Sequence, residues 1–438
     1  MDGGTALAKI LTVGERSFKK EIDKLLLGEG DNFHGEGILA ITKALLQSGI
    51  TYVGGYPGAP MSHLIDVLAD ASEEILQPMG IHFEQSASEA GAASLLSASI
   101  SYPIRGAVTW KSVVGTNVAS DALSNLASSG VTGGSLIILG DDYGEGSSIM
   151  QERTYTFAMK SSIPLIDPRY NLGRIVELTE LAFDLSEACS MPIFLNMRIR
   201  ACHLTGNFVT KDNKIGRYNA NNPVPEQNYD VEKIVLPPAT YQHEKAKFDD
   251  RLPAARLFAK ENGFNEHFPG DGSHYGIVTQ GGTHTVVLRA LRRMGMADAY
   301  GNTDVPLLCL NLVYPLIPEE IEAFLSDKDH ILVVEEGNPN YIETQIAEIA
   351  QRCKIGCAIH GKDMLPMAGE YVSNVVREGV AKFLTEVLPE GKESSAAKAE
   401  TAIENERAVA QSNIAEPMPP RPPSFCTGCP ERPIMAAL

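Results

Sequence analysis

Between Glu36 and Arg198 the chain alternates short apolar runs with segments of helical spacing, and this rhythm restricts the possible folds more than any other property. GILAITKALLQSGI (37–50) repeats apolar residues at helical intervals, and TYVGG (51–55) then reads as a short strand. MSHLIDVLADASEEIL (61–76), SEAGAASLLSASI (88–100) and VELTELAFDLSEA (176–188) predict helices. IRGAVTW (104–110), SLIILG (135–140) and PIFLNMR (192–198) predict buried strands. Strands apolar at nearly every position, each followed by a helix, belong to a parallel sheet covered on both faces.

The rhythm stops at about Ala201. The stretch to His274, with NANNPVPEQN and LPPATYQHEKAKFDD, is polar and reads as an inserted or linking segment with short helices near 253–263. It resumes with YGIVTQ (275–280), TVVLRALRRMGM (285–296), VPLLCLNLV (305–313), HILVVEE (330–336), ETQIAEIAQRC (343–353) and a helix near 370–386. The expected class is therefore α/β, with two open, mainly parallel sheets and helices on both faces of each. A chain of 438 residues is long enough for two or three domains. The expected divisions are an N-terminal extension (1–35), a first domain (36–204), an insertion or linker (205–270), a second, smaller domain (271–388) and a final segment (389–438). That segment, rich in Ala, Glu, Ser and Pro over 389–425, reads as a linker or an arm lying on a partner.

Charge and composition remove several classes of function. Asp and Glu total 55 against 37 Lys and Arg, a net charge of −18, which argues against a nucleic-acid surface. No apolar run approaches the roughly 20 residues that span a bilayer. The N-terminus lacks the charged-then-apolar layout of a signal, so a cytoplasmic protein without a membrane partner is expected. Seven scattered cysteines fit reduced thiols better than a disulfide framework.

Several loops carry candidate chemistry. GGYPGAP (54–60) follows the first strand, where ligands of open parallel sheets bind, although an ordinary strand-to-helix turn explains it equally well. HFEQSASEAG (82–91) puts Glu84 and Glu89 around a helix start, where electrostatic capping is the default explanation. WKSVVGTNVASD (110–121), with Lys111, Gly115 and Asn117, and GDDYGEGSSIMQER (140–153) each follow another strand. Three such loops on one sheet edge point to function more strongly than any one alone. GDGSH (270–274), with Asn302 downstream, imitates a diphosphate-and-magnesium motif, but it precedes a strand instead of following one and reads as a turn. Cys426 and Cys429 form a lone CxxC, too few thiolates for a cluster unless another chain supplies ligands.

Taken together, YPGAP, the Glu89 segment, WKSVVGTNVASD, DDYGEGSSIMQER and CTGCPER resemble the thiamine-diphosphate-dependent 2-oxoacid:ferredoxin oxidoreductases, nearest their indolepyruvate and arylpyruvate type. The resemblance implies a pyrimidine-binding domain, a transketolase C-terminal-like domain carrying GIVTQGGTHTVVLRAL and ILVVEEGNP, and the start of a diphosphate-binding domain near the CxxC. It gives Glu89 the catalytic part: a carboxyl bonded to the aminopyrimidine ring nitrogen, favouring the tautomer that removes the thiazolium C2 proton. It makes Tyr56, Pro57, Gly58, Glu89 and Asn117 cofactor-binding, and places Ala59, Lys111, Gln151 and Arg153 on substrate-side loops. Ala59 departs from the threonine of many relatives, which leaves the substrate open.

The implied cofactors are thiamine diphosphate with Mg2+, held through a domain outside this chain, iron–sulfur clusters in the complete enzyme, and coenzyme A as co-substrate. No metal site is complete within the chain, and Cys426 and Cys429 are cluster ligands only with a partner. The implied partners are diphosphate-binding and iron–sulfur domains or subunits, ferredoxin or another electron acceptor, and further copies in a homo- or hetero-oligomer. Two other readings stay open: a non-redox thiamine enzyme (a decarboxylase or carboligase), and a binding subunit that has lost the chemistry.

Overall fold

The computed structural model describes residues 16–143, 154–225, 230–337 and 339–388, with the isolated positions 401, 405, 408 and 409. The expectations for Gln151, Arg153, Cys426, Cys429 and the 389–425 arm lie outside the described residues. Two compact units are found, one built from residues 16–142 and 154–258, the other from Tyr143 and residues 259–388.

The first unit begins with β1 (Asn32–Glu36) and α1 (Gly37–Gln47), then β2 (Tyr52–Gly55), α2 (Ser62–Ala71) and β3 (His82–Gln85). Next come α3 (Glu89–Leu95), α4 (Ala98–Ser101), β4 (Gly106–Lys111), α5 (Ser112–Val118), α6 (Ser120–Ser129) and β5 (Ser135–Asp141). After these follow α7 (Thr154–Ser161), β6 (Leu165–Ile166), α8 (Leu172–Cys189), β7 (Ile193–Arg198), α9 (Ile199–Cys202) and β8 (Thr205–Val209). Six strands form a parallel sheet in the order β6-β7-β5-β4-β2-β3. β5 is buried at all seven positions and β7 at all six, as their apolar runs require.

Local chemistry sets the helix ends. Ser88 caps α3 by accepting the Gly91 N–H, and Asn171 caps α8 by accepting that of Arg174 at 3.0 Å. The single helix predicted over 88–100 is instead α3 and α4, broken around Leu96 and Ser97. There the buried Tyr52 hydroxyl reaches the Leu96 carbonyl at 3.4 Å and Ser99 Oγ at 2.6 Å. A tertiary bond thus claims a carbonyl that a continuous helix would use.

Two features have no counterpart in the predicted elements. β1 and β8 pair as a separate antiparallel ribbon from Asn32↔Val209 to Glu36↔Thr205, with Phe33 against Phe208. The polar segment beyond residue 205 also sends two cations onto helix carboxyl ends. Lys233 Nζ reaches the Ile100 carbonyl at 2.7 Å, and Arg251 donates to the carbonyls of Ala127, Ser128 and Ser129. Carbonyls left over at a helix end attract positive charge, so these two residues anchor α10 (Ala239–Ala246) to the first unit. α11 (Leu252–Glu261) carries the chain onward.

The second unit comprises β9 (Glu266–Phe268), β10 (Tyr275–Gln280), α12 (His284–Arg293), β11 (Leu307–Leu310), β12 (Leu312–Tyr314) and α13 (Pro318–Leu325). It continues with β13 (His330–Val334), α14 (Tyr341–Cys353), β14 (Ala358–His360) and α15 (Ser373–Val387). Its sheet runs β14-β13-β10-β11-β9, parallel except for β9. α12 and α15 pack on it through Val287, Leu291, Val380 and Phe383. Among the described residues no helix is long and apolar enough to cross a membrane.

Candidate functional site

Strand order locates the site. From β2 the chain adds β3 on one side and then returns to add β4 on the other. Crossovers that diverge in this way open a crevice outside the carboxyl ends of the two central strands. The loop Tyr56–Pro60 leaves β2 there, Lys111 ends β4 there, and Glu89 starts α3 immediately after β3.

These residues hold one another. The Tyr56 N–H donates to the Thr109 carbonyl at 3.0 Å, continuing the β2–β4 ladder into the loop. Lys111 Nζ donates to the Ala59 carbonyl at 3.0 Å, tying the loop to the end of β4. Gly58 permits this approach, since a Cβ on it would lie 2.8 Å from Lys111 Cβ. Tyr56, Pro57, Gly58, Ala59 and Lys111 are all half-buried.

The two carboxylates separate clearly. Glu84 is exposed on β3 and lies 3.5 Å from His82 Nε2. Glu89 is 8% exposed in the first turn of α3. Its side chain lies against α5 so closely that a Cβ on Gly115 would be 2.7 Å from Glu89 Cγ and 3.0 Å from Oε1. Asn117 is two residues further along α5; it is exposed, and its amide donates to the Val113 carbonyl one turn back. The structure therefore gathers the YPGA loop with Lys111, and Glu89 with α5, at the sheet edge the sequence indicated. It engages the Asn117 amide within its own helix.

A buried polar network beside this crevice was not singled out from the sequence. Thr154 Oγ1 donates to Asp141 Oδ1 at 2.7 Å and also bonds Ser112 Oγ. Burial pushes the Asp141 carboxyl above the usual range, against the lowering effect of those hydroxyls and of Arg198. Arg198, opposite Asp141 in the β5–β7 register, forms a buried 2.6 Å ion pair with Asp167. The signal was the pair Asp141-Asp142 closing an apolar strand.

The second unit has its own switch point, between β10 and β13, and its own side chains fill it. The Glu335 carboxylate accepts the N–H groups of Tyr341, Ile342 and Glu343 at 3.0–3.2 Å, so it occupies the anion position at the start of α14. Burial raises its pKa to about 7. Lys362 Nζ donates to the carbonyls of Glu335 and Gly337 and to the Tyr371 hydroxyl at 2.5, 3.0 and 2.6 Å, and burial lowers its pKa to about 8. The GDG turn stays apart from this cluster. Asp271 bonds Ser273 ahead of β10, and Asn302 donates to Asp298 instead.

These observations test the implied cofactor. A carboxyl buried at a switch-point crevice, beside a glycine-bearing loop, fits the pyrimidine end of thiamine diphosphate. The diphosphate end finds no match, because no group of three or more His, Cys, Asp or Glu among the described residues suits a metal ion.

The chain shares its α/β fold with a solved 2-oxoacid:ferredoxin oxidoreductase. The 2-oxoglutarate:ferredoxin oxidoreductase of Magnetococcus marinus, solved with 2-oxoglutarate, coenzyme A and succinyl-CoA, superposes with a TM-score of 0.60. That match covers 80% of this chain and 65% of the other at 16% identity. In sequence the chain is 29% identical over 422 residues to the indolepyruvate oxidoreductase subunit IorA of Methanothermobacter thermautotrophicus, covering 95% of this chain and 62% of that one. IorA of Pyrococcus horikoshii is 26% identical over 411 residues, covering 92% of this chain and 58% of its own length. The resemblance carried by YPGAP and CTGCPER is thus borne out along nearly the whole chain, which spans about three fifths of the length of these relatives. No family model matches it.

Proposed function

We propose that this chain is the pyrimidine-binding part of a thiamine-diphosphate-dependent 2-oxoacid oxidoreductase of the indolepyruvate type. The reaction is oxidative decarboxylation of an arylpyruvate-like acid to an acyl-CoA, with electrons passing through iron–sulfur clusters to ferredoxin or another acceptor. The observation that carries the reading is Glu89, a carboxyl buried at the switch-point crevice where the YPGAP loop and Lys111 meet. The IorA relatives support the same class.

Bound thiamine diphosphate supplies the covalent chemistry, and the protein positions it and controls its protons. The Glu89 carboxyl would share a proton with the pyrimidine ring nitrogen. Tyr56, Pro57 and Gly58 would pack against the heterocycle, and Asn117, exposed on α5, would join them in binding it. The Lys111 ammonium, already at the loop, attracts the substrate carboxylate past Ala59. Gln151 and Arg153 are further candidates for binding the substrate. Mg2+ and the diphosphate are held by a domain outside this chain, and Cys426 and Cys429 contribute thiolates to a cluster only in the assembled enzyme. The assembly is cytoplasmic.

The test is Glu89→Gln in the complete enzyme. Glutamine keeps the shape but cannot share the proton, so exchange of the thiamine C2 proton, read by NMR after acid quench, slows about 10²–10⁴-fold. Glu84→Gln, on the exposed carboxylate, exchanges at the parent rate. Equal rates in parent and Glu89→Gln refute the reading and leave a non-catalytic binding subunit as the better account.

A further inference from the structure

Gly115 lies within α5, where glycine weakens a helix, so its presence asks for a reason. The reason is visible on both sides of it. A methyl group there would come 2.5 Å from Trp110 Cδ1, 2.7 Å from Glu89 Cγ and 3.0 Å from Glu89 Oε1. The indole cannot retreat. It is fully buried, and its Nε1–H donates to Thr116 Oγ1 at 3.1 Å, fixing ring and helix as one piece. Ala92 and Ala93, one turn along α3 from Glu89, are buried as well. The backbone of α5 is therefore a wall along which the Glu89 side chain is laid, and only a residue without a Cβ leaves that wall flat.

We infer that Gly115 is a positioning residue for Glu89: the space between the Trp110 indole and the Glu89 side chain fixes where the carboxylate meets its proton-sharing partner. The inference rests on the role proposed for Glu89 above and extends it to a buried residue that acts through Glu89. The added methyl must displace the glutamate, because the ring on the other side is held. A carboxylate displaced by about 1 Å would lose its alignment.

In the complete enzyme, Gly115→Ala should slow exchange of the thiamine C2 proton by about 10- to 100-fold, on the scale of a catalytic group misplaced by about 1 Å. Cofactor affinity, measured by calorimetry, should change less than about threefold, since the diphosphate anchors lie elsewhere. Two readouts separate positioning from general loosening of the fold. First, Gly115→Ala should slow the Glu89→Gln enzyme no further, because a residue acting only through Glu89 has nothing left to act on. Second, in the cofactor-free chain with 13C-labelled glutamate, the Glu89 carboxyl resonance, assigned by its loss in Glu89→Gln, should move on Gly115→Ala. An unmoved resonance, exchange at the parent rate, or equal slowing in the Glu89→Gln background would each overturn the inference. Should Gly115→Ala fail to fold, Glu89→Asp tests the same point, since it keeps the acid and draws it back from α5. Exchange at the parent rate there would show that placement is unimportant. Parent-rate exchange in Glu89→Gln itself would instead remove the proposed role of Glu89, a result visible before Gly115 is touched.

Discussion

Replacing Glu335 by glutamine should flatten the pH dependence of the second unit's stability between about pH 5 and pH 8. Burial holds the folded carboxyl at about pKa 7 against its ordinary 4.5, despite the N–H groups of Tyr341, Ile342 and Glu343 that favour its charged form. An acid with a raised folded pKa keeps its proton in the folded state while the unfolded chain releases it. Stability therefore falls as pH rises from the unfolded pKa to the folded one. At about 1.4 kcal/mol per pH unit over that interval, the group costs the parent about 3 kcal/mol by pH 8 relative to pH 4.5. Glutamine titrates nowhere in this range. Its NH2 also faces backbone donors, which costs about 1–3 kcal/mol at every pH. The variant should thus be the less stable protein at pH 5 and recover about 2.5 kcal/mol on its parent by pH 8. Keeping below pH 8 leaves Lys362, whose pKa burial lowers to about 8, largely out of the measurement. The single tryptophan belongs to the first unit, so its fluorescence would not report this change. Urea titration with pulse proteolysis of the second unit is the suitable assay. A parent–variant difference that stays constant from pH 5 to pH 8 would show that Glu335 is not held protonated by burial.

Two further outcomes follow from contacts in the first unit. Arg251→Met removes the guanidinium from the carbonyls of Ala127, Ser128 and Ser129, and should cost about 1–2 kcal/mol, with faster hydrogen exchange in α10 but not in β5; unchanged exchange in α10 would mean the segment is anchored by other contacts. If the ammonium acts on the substrate carboxylate, as proposed, Lys111→Met in the complete enzyme should raise the KM for the 2-oxoacid at least tenfold while altering the C2 exchange rate little; a fall in exchange with KM unchanged would contradict that assignment.

The strands of both sheets were legible because their burial is local information. SLIILG and PIFLNMR are apolar at nearly every position, and a chain can bury such a run only in a covered sheet. The edge that holds the site could be read for the same reason, since loops after parallel strands fall on one side. The ribbon β1–β8 was missed although NFHGE and TGNFV each carry an inward phenylalanine. Each is only five residues long, and their pairing joins distant parts of the chain. Which of Glu84 and Glu89 is buried could not be read from HFEQSASEAG, because the answer lies in the approach of α5 to α3. Glu335, Lys362 and Tyr371 were missed for a similar reason. EEG reads as the polar end of a strand until α14 and the segment around Tyr371 are folded onto it.

The ribbon also bears on the order in which the protein is made. β1 leaves the ribosome before any of the parallel strands, yet its only ladder partner among the described residues is β8, about 170 residues later. At about 5–20 residues per second, Phe33 waits about 10–30 seconds for Phe208 to emerge. During that interval β2, β4 and β5 are all available to pair with one another, while β1 presents an unsatisfied edge that another nascent chain could adopt. Closing so long a loop adds a configurational cost that grows only logarithmically with length, so delay and not energy is the vulnerable point. Synthesis halted ahead of Thr205 would leave the parallel sheet's strands made and this first strand without its partner.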